Sequence, residues 1–357
     1  MKKIALCIPS LNVGGAERMI ITLAKRLKKE YKLRIFVLSK NPNNFLVDEL
    51  RQNEIKISFL DISGRFSLKK FLKVFYELKS FDPDILHNNL DTLYFPIYSL
   101  ITKKKMIFTI HSSPDRLNNL KFSMFIRPLI RKNIIKFVAV SKSIKSMTKK
   151  ELKIKESLIS VIYNPVDFKK KVDEKNLFNI EKGEVVFINI ARFDAIKNHN
   201  NLIEAFNKLN KEFSNTKLYL LGDGLEKKNI EKKVVQLNLS NSIEFIGNTN
   251  KIEMFLNDAH VFVLSSDSEA LPITIIEAMT VGLPIISTNV GGIKDIVNET
   301  NGILVPPKDS IKLYSAMREI MNKEKMILMS ESSKKKSRDF DPDIIFEQYK
   351  EIYEEEK

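Results

Sequence analysis

The sequence has a single cysteine, Cys7, so it cannot form an internal disulfide or a thiolate metal cage. Its four histidines show no spacing typical of metal ligands. No apolar run approaches the ~20 residues needed to span a bilayer. Pro9 interrupts the first apolar stretch and no small-residue cleavage site follows, so this stretch is predicted to be a strand and not a signal peptide. We therefore expect a cytoplasmic protein without a structural metal.

What the chain does have is length and an uneven distribution of charge. Its 357 residues fit two domains better than one, and its 43% apolar content is typical of a globular protein. The net charge is +15, but residues 1–170 carry 34 basic and 14 acidic side chains, whereas the remainder carries 25 basic and 30 acidic ones. This asymmetry indicates that only the first half meets an anionic surface.

Short apolar runs alternate with longer segments of helical periodicity along both halves. Strands are predicted at 4–9, 33–38, 57–60, 85–87, 106–109, 137–140 and 159–163, and then at 185–190, 217–221, 243–246, 261–264, 284–287 and 303–305. Helices are predicted at 16–29, 67–80, 141–152, 200–213, 225–237, 252–257, 272–281, 293–297 and 312–322. Two such series predict an α/β fold with two doubly wound, Rossmann-like parallel sheets. A polar, weakly patterned segment after residue 170 is interpreted as the linker.

Two carboxylates, Glu269 and Glu277, stand eight positions apart across a Pro-containing turn and the start of a predicted helix. A helix N-terminus offers free N–H groups and the positive end of its dipole, which suits a phosphate. Carboxylates beside such an end can accept hydrogen bonds from sugar and ribose hydroxyls. This pattern favours hydroxyl-rich phosphate esters as ligands.

Several other strand ends carry polar or flexible residues. Arg192 and Lys197 share one loop, where they could clamp a diphosphate, although a solvated basic loop would be the simpler interpretation of that pair alone. The Gly14-Gly15 turn permits close approach of a ligand but lacks the spacing of a dinucleotide fingerprint. The weaker strand-end candidates are Gly222, Phe245, Ile246, Gly247 and His111; a lone histidine there is more often structural than catalytic.

Together these residues resemble a family 4 glycosyltransferase with the GT-B fold, in which two Rossmann-like domains face each other across a cleft. The resemblance covers nearly the whole chain. It is carried mainly by Glu269 and Glu277 and by Arg192 and Lys197, which have the order and separation typical of the family. Asn164-Pro165-Val166-Asp167 and Gly222-Asp223-Gly224 also fall at family turns. It implies an acceptor-side domain at 1–170, a donor-binding domain at 171–340, and a C-terminal helix at 341–357 that packs back towards the first domain.

The resemblance also implies a role for each site residue. Arg192 and Lys197 would neutralise the diphosphate of a nucleotide-sugar donor, with uracil as the expected base, and Glu277 would bind the ribose. Glu269 and His111 would lie near the reacting carbon and the acceptor. The remaining donor-binding positions would be Gly14, Gly15, Gly222, Phe245, Ile246, Gly247 and the helix start at Ala270, Leu271, Pro272, Ile273 and Thr274. Transfer would retain anomeric configuration and need neither a metal nor another cofactor.

The basic first half suggests a partner for the acceptor side. Residues 120–137 mix aromatic, aliphatic and basic side chains as an interfacial membrane segment does, and basic clusters also occur at 69–73 and 103–105. We therefore expect the first domain to contact the anionic inner face of the cytoplasmic membrane and to take a saccharide acceptor that is lipid-linked, for example to undecaprenyl. A general lysine-rich bias that merely solvates the surface is the alternative.

Three other functions fit parts of this pattern. Nucleic-acid binding would explain the basic charge, but no zinc spacing, helix-turn-helix or aromatic–basic strand signature supports it. A non-catalytic GT-B partner subunit or carbohydrate-binding protein would keep the fold without the chemistry. A GT-B phosphorylase would need a lysine that binds pyridoxal phosphate, and the sequence does not identify one.

Overall fold

The structure is a computed structural model that describes residues 1–12, 14–62, 66–89, 93–112, 120–167, 183–249 and 251–355; for residues 120–123 only the backbone is described. The chain forms two compact units. The first contains Met1–Asp167 together with Phe340–Lys357, and the second contains Phe168–Asp339. The segment interpreted as the linker, which begins after residue 170, lies within an undescribed stretch.

The first unit is built on a seven-stranded sheet whose neighbouring strands are all parallel. Its strands are β1 (Lys3–Ile8), β2 (Lys32–Val37), β3 (Lys56–Phe59), β4 (Ile85–Asn89), β5 (Lys105–Ile110), β6 (Ile135–Ala139) and β7 (Ile159–Val161), in the order β3-β2-β1-β4-β5-β6-β7. The connecting helices are α1 (Gly15–Leu27), α2 (Phe45–Gln52), α3 (Leu68–Phe81), α4 (Tyr94–Thr102), α5 (Leu120–Arg131) and α6 (Lys142–Leu152). The strand order reverses between β1 and β4.

The last helix of the chain belongs to this first unit. We label it α14 (Pro342–Glu354); it packs beside α1, and the Arg26 guanidinium bonds the Asp343 carboxylate at 2.7 Å. Its Tyr353 hydroxyl lies 2.7 Å from Nδ1 of the buried His87, whose Nε2 lies 2.7 Å from the Thr109 hydroxyl. Both ring nitrogens of His87 are therefore satisfied by neutral partners beneath α14.

The burial of His87 should make stability depend on pH. Desolvation lowers the pKa of His87 to about 3, below its ordinary value of 6.5. Below pH 6.5 the unfolded chain therefore binds a proton that the folded chain excludes, and stability is lost as the pH falls towards 3. We expect His87→Gln to reduce the slope of unfolding free energy against pH by about 1.4 kcal/mol per pH unit between pH 6 and 4, measured by urea unfolding. Identical slopes for variant and wild type would contradict this.

The second unit contains a six-stranded parallel sheet. Its strands are β8 (Val185–Ile190), β9 (Thr216–Leu221), β10 (Ile243–Gly247), β11 (Val261–Leu264), β12 (Ile285–Thr288) and β13 (Gly302–Val305), in the order β10-β9-β8-β11-β12-β13. Its helices are α7 (His199–Glu212), α8 (Lys227–Gln236), α9 (Ile252–Asp258), α10 (Ile273–Thr280), α11 (Ile293–Ile296), α12 (Ser310–Glu319) and α13 (Lys323–Ser337). Here the order reverses between β8 and β11.

The predicted fold class is confirmed, and a strand occupies each of the thirteen predicted positions. Most of these strands could be predicted because a parallel strand buried on both faces is an almost continuous apolar run. The edge strands β3 and β10 are more exposed. Four helices, α2, α4, α5 and α13, were not predicted. In α4 the reason is visible: Tyr94–Thr102 is apolar nearly all round and shows no helical period.

The interpretation of residues 120–137 as an interfacial membrane segment is wrong for most of its described apolar side chains. Ile126 and Leu129 of α5 are fully buried, and so is Phe137 of β6. Their aliphatic and aromatic character builds the interior of the first unit and offers nothing to a bilayer. Among the described helices, none combines the length and apolarity that crossing a membrane requires.

Candidate active site

The second unit places two of the predicted site residues on adjacent loops. Lys197 lies in the loop that follows β8, and Glu269 lies in the loop that follows β11. Since β8 and β11 are the neighbours between which the strand order reverses, their carboxyl ends open a crevice. Ligands of open α/β sheets bind in such crevices, so the topology alone marks this edge as the candidate site.

An ion pair joins the two loops. The Lys197 ammonium lies 2.5 Å from Oε1 of Glu269, and the Ser266 hydroxyl donates to the same oxygen at 2.7 Å. The Glu269 side chain is only 9% exposed, so these two donors replace hydrogen bonds that the carboxylate would otherwise form with water. Both members of the pair were predicted as site residues, but their direct contact and the contribution of Ser266 were not.

The backbones of the two loops are also fastened together. The Ser265 hydroxyl donates to the carbonyls of Lys197 and Asn198, both at 3.0 Å, and the Asp267 N–H donates to Ile196 O at 2.8 Å. Asn198 has a φ of +49°, caps α7 and donates its amide to Asp267 Oδ1 at 2.9 Å. Asparagine tolerates this left-handed conformation better than most residues. The asparagine before a predicted helix was therefore a signal in the sequence for this turn, and it was not used.

Arg192 is presented to solvent on the same loop as Lys197. Its guanidinium is largely exposed and pairs with Asp194 at 2.7 Å. The surrounding backbone is held by Phe193 N–H, which donates to Asp223 O at 3.0 Å. A Cβ on Gly222 would lie 2.1 Å from Ala191 O, so this glycine is needed for loop packing. The structure thus gives Gly222 a scaffold role.

The start of α10 is a helix N-terminus, as the sequence predicted, with one correction to its donors. Leu271, Ile273 and Thr274 have backbone N–H groups with no acceptor among the described residues, but Pro272, the N-cap, has no N–H to offer. Ala270 lies just before them, and its carbonyl accepts from Gly292 N–H at 3.0 Å.

Glu277 lies one helical turn beyond Thr274 on α10. Residues three apart share a helix face, so its half-buried carboxylate stands on the side that carries Thr274. Glu277 thus occupies a position consistent with a ligand held at the helix start.

Gly291 supports Glu269 from behind. It lies after β12 with a φ of +53°, and a Cβ there would lie 1.6 Å from Glu269 O. No side chain fits without displacing the Glu269 backbone. The Gly291-Gly292 pair following a predicted strand was the signal for this role, but nothing in the sequence indicates which residue it faces.

The end of β10 holds three further candidates. Phe245 and Ile246 are half-buried, and the pairing of β10 with β9 is irregular between Phe245 and Gly247. Gly222 N–H donates to Gly247 O at 3.0 Å, so these two glycines join the ends of β9 and β10. Gly247 has a φ of +79° with open space around a Cβ, which leaves room beside this strand end.

Gly14, Gly15 and His111 lie in the first unit. Gly14 is extended, with a φ of −170°, and Gly15 is the first residue of α1, so neither requires a left-handed conformation. His111 follows β5; its Nε2 lies 3.2 Å from Oδ1 of Asn89, and the Asn89 amide nitrogen donates to His87 O at 3.2 Å. That second bond orients the amide, so Nε2 of His111 is the donor and Nδ1 is an acceptor.

Desolvation lowers the pKa of His111 to about 4, although its side chain stays partly exposed. The ring is therefore neutral at physiological pH. Across the parts of the chain that the structure describes, no group of three or more His, Cys, Asp or Glu side chains could hold a metal ion.

Family models match both halves of the chain. Residues 13–170 match the model described as Glycosyltransferase Family 4, and residues 170–338 match Glycosyl transferases group 1. The chain belongs to the family 4 type of glycosyltransferases. Its two matches meet at residue 170, within the undescribed stretch between the units.

Full-length relatives agree with this assignment. The glycosyltransferase is 26% identical to an uncharacterized glycosyltransferase of Haemophilus influenzae, over 99% of this chain and 100% of the relative. It is 27% identical, over 100% and 99%, to a Campylobacter jejuni enzyme named GalNAc-alpha-(1->4)-GalNAc-alpha-(1->3)-diNAcBac-PP-undecaprenol alpha-1,4-N-acetyl-D-galactosaminyltransferase. Anabaena HepE, solved in complex with UDP and glucose, has the same fold with a TM-score of 0.82, 19% identity and 99% coverage of both chains.

Proposed function

We propose that this glycosyltransferase transfers a hexose or N-acetylhexosamine from a UDP-sugar to a lipid-linked saccharide, with retention of anomeric configuration and without a metal. The observation that carries the proposal is the Lys197–Glu269 pair at the crevice of the second sheet, next to the N-terminus of α10. It combines a cation for the leaving group, a carboxylate for sugar hydroxyls and N–H groups for phosphate in one place.

The donor's diphosphate is assigned to Lys197, Arg192 and the start of α10. The Lys197 ammonium has three N–H bonds and uses one on Glu269, which leaves two for phosphate oxygens. Arg192 is exposed and able to turn its planar fork from Asp194 to a phosphate. When the bond from the anomeric carbon to the phosphate oxygen breaks, the diphosphate gains charge, and preorganised cations stabilise that charge most strongly in the transition state. This is the role that a divalent ion would otherwise have.

The other proposed contacts with the donor are inferred from where each residue lies in the second unit. Glu269 accepts from hydroxyls of the transferred sugar, Glu277 accepts from the ribose, and the end of β10 at Phe245–Gly247 borders the base. In the first unit, the neutral His111 can accept a hydrogen bond from a saccharide hydroxyl through Nδ1, and the Gly14-Gly15 turn permits close approach of a saccharide to the backbone. The acceptor hydroxyl oxygen bonds the anomeric carbon as the bond from that carbon to the diphosphate oxygen breaks. The hydroxyl proton passes to the departing diphosphate, so that the products are the glycoside and UDP.

The acceptor class is supported by relatives. The Campylobacter jejuni relative of full-length coverage is named for an undecaprenyl-diphosphate glycan, and a second Campylobacter relative, 21% identical over 91% of this chain, carries a similar name. The UDP moiety is supported by the HepE complex. Both inferences extend to this chain as parts of the proposal.

A donor screen with a matched carboxylate variant tests the proposal. Wild-type enzyme is titrated with UDP-, GDP- and ADP-sugars, with and without EDTA, and turnover is measured as release of the nucleotide. We expect a UDP-sugar to bind and turn over equally in EDTA. Glu277→Ala should weaken UDP binding about tenfold to a hundredfold, since a carboxylate–hydroxyl bond contributes about 1.5–3 kcal/mol.

Two controls distinguish the loss of a ribose contact in Glu277→Ala from a general disturbance of the fold. A UDP analogue that lacks the 2′ and 3′ hydroxyls should bind wild type and Glu277→Ala alike, because the bonds in question are missing from both complexes. Glu231→Ala, a similarly half-buried glutamate on α8, should bind UDP as wild type does. The proposal fails if no nucleotide sugar binds, or if Glu277→Ala leaves UDP affinity unchanged.

A further inference from the structure

The outward face of α3 in the first unit is apolar where a solvated helix would be polar. Leu68, Leu72 and Tyr76 recur every four residues, and Leu68 and Tyr76 are 69% and 66% exposed. The helix does not need these side chains for its own packing, because Phe71, Val74, Leu78 and Phe81 already form its buried face. At ~100° per residue the exposed apolar positions cover one continuous stripe.

Lysines accompany this stripe. Lys69, Lys73 and Lys79 are exposed on the same side of the helix, and within the described part of the chain none of the three forms an ion pair. The helix contains one acidic residue, Glu77, which is half-buried and lies off the stripe. The face therefore combines apolar bulk with an excess of positive charge.

Phe66 extends the stripe at its N-terminal end. It is exposed, yet its ring is stacked on Tyr94 at 5.1 Å and contacts Phe71 at 6.3 Å. An aromatic side chain held outward by two partners loses little conformational freedom when it enters another apolar medium. We call Phe66, Leu68, Leu72 and Tyr76 with Lys69 and Lys73 the α3 face.

We propose that the α3 face binds an anionic lipid bilayer. Its apolar side chains would enter the interfacial region of the bilayer, while the lysine ammonium groups would reach lipid phosphates. Apolar and lysine side chains favour these respective depths at a membrane surface. The charge of the first 170 residues, 34 basic against 14 acidic side chains, gives the long-range attraction. The inference rests on the proposed lipid-linked acceptor, which the bilayer would bring to the enzyme.

Vesicle co-sedimentation tests this surface. Wild type is mixed with phosphatidylglycerol–phosphatidylcholine vesicles and with pure phosphatidylcholine vesicles, at low and high salt. We expect binding to the anionic vesicles that weakens with salt. Lys69→Glu/Lys73→Glu should weaken it at least about thirtyfold, since each lysine near such a surface contributes about 1 kcal/mol. Leu68→Ser/Tyr76→Ser should weaken it at both salt concentrations.

Matched variants in the second unit control for exposure and charge. Val235 and Leu328 are 64% and 66% exposed, so Val235→Ser/Leu328→Ser repeats the apolar change elsewhere. Lys228→Glu/Lys232→Glu repeats the charge change on exposed positions of α8. We expect the apolar pair to bind vesicles as wild type does and the charge pair to lose far less affinity than the α3 variant. Equal losses in both units would overturn the proposal.

Two outcomes distinguish this surface from the function itself. If wild type fails to bind anionic vesicles but releases UDP from a UDP-sugar, the α3 face is not a membrane surface and the transferase proposal stands. Concentration-dependent self-association that the α3 variants abolish, without vesicle binding, would assign the face to a second copy and overturn the membrane proposal. Vesicle binding without nucleotide-sugar turnover would leave the surface intact and overturn the proposed chemistry.

Discussion

Lys197→Ala should lower kcat by about 10²–10³-fold, the typical loss when one preorganised group that stabilises developing charge is removed. The variant deletes the cation 2.5 Å from Glu269 and leaves the Ser266 hydroxyl as the one donor to that carboxylate among the described residues. The leaving diphosphate loses its point-charge partner at the same time. Steady-state release of UDP from the preferred donor measures the effect, with urea unfolding recorded in parallel.

The second unit offers a matched control for this variant. Lys233 pairs with Glu204 at 2.7 Å on α8 and α7, outside the proposed site. Lys233→Ala should therefore keep kcat within about twofold of wild type while losing a similar surface ion pair, which contributes at most about 1 kcal/mol. If Lys197→Ala and Lys233→Ala have the same kcat, Lys197 has no role in leaving-group stabilisation.

A double-mutant cycle separates the two tasks of Lys197. If the lysine serves only to neutralise Glu269, Glu269→Gln should largely rescue Lys197→Ala. If it also stabilises the leaving group, the double variant should remain about as slow as Lys197→Ala. We expect the second result, because two of the three ammonium N–H bonds are not used on Glu269.

Gly291→Ala should reduce activity at least about a hundredfold without touching substrate. Its added Cβ would lie 1.6 Å from Glu269 O, a contact that only a shift of the backbone can relieve. A displacement of about 1 Å at a positioning group can cost about 10²-fold in rate. The left-handed φ of +53° adds about 1–2 kcal/mol of strain, so the unfolding free energy should also fall. Kinetics and urea unfolding measure the two effects.

Gly183→Ala is the control for backbone strain alone. Gly183 also has a positive φ, +82°, but a Cβ there would meet nothing within 4 Å. The Gly183→Ala variant should therefore lose a comparable amount of unfolding free energy through backbone strain and keep its kcat. Were Gly291→Ala no slower than Gly183→Ala, the contact with Glu269 would be irrelevant to the reaction.

The fold was accessible from the sequence for a specific reason. The central parallel strands of both sheets are buried and leave apolar runs bounded by polar turns, and all thirteen described strand positions were found. Two of the unpredicted helices lack the helical periodicity that would have revealed them. Helix α4 is apolar all round, and α13 combines weak periodicity with a row of lysines near its end. Residues 120–137 show the opposite error, since a segment with membrane-like composition forms a helix and a strand of the core.

The candidate site was partly accessible. Lys197 and Glu269 were selected because a cation and a carboxylate stood at strand ends, and strands β8 and β11 bring those ends together. Ser266 and Gly291 could not be assigned to the site, because a serine or a glycine in a loop can have many roles. Both contact Glu269, which is 3 residues from Ser266 and 22 residues from Gly291. Gly222 was predicted to approach a ligand, and the structure adds a packing role that the sequence did not indicate, because its missing Cβ makes room for Ala191 O.

The sequence by itself determined the two parallel sheets, the basic character of the first half and the chemical types of the site residues. Periodicity and charge are local properties, and they survive in a linear string. Only the tertiary structure decided which lysine meets which carboxylate, which glycine a neighbouring backbone requires, and which apolar surface stays exposed on α3. These properties depend on which residues, far apart in the chain, become neighbours in the folded protein. The order of the strands and the packing of the helices decide that.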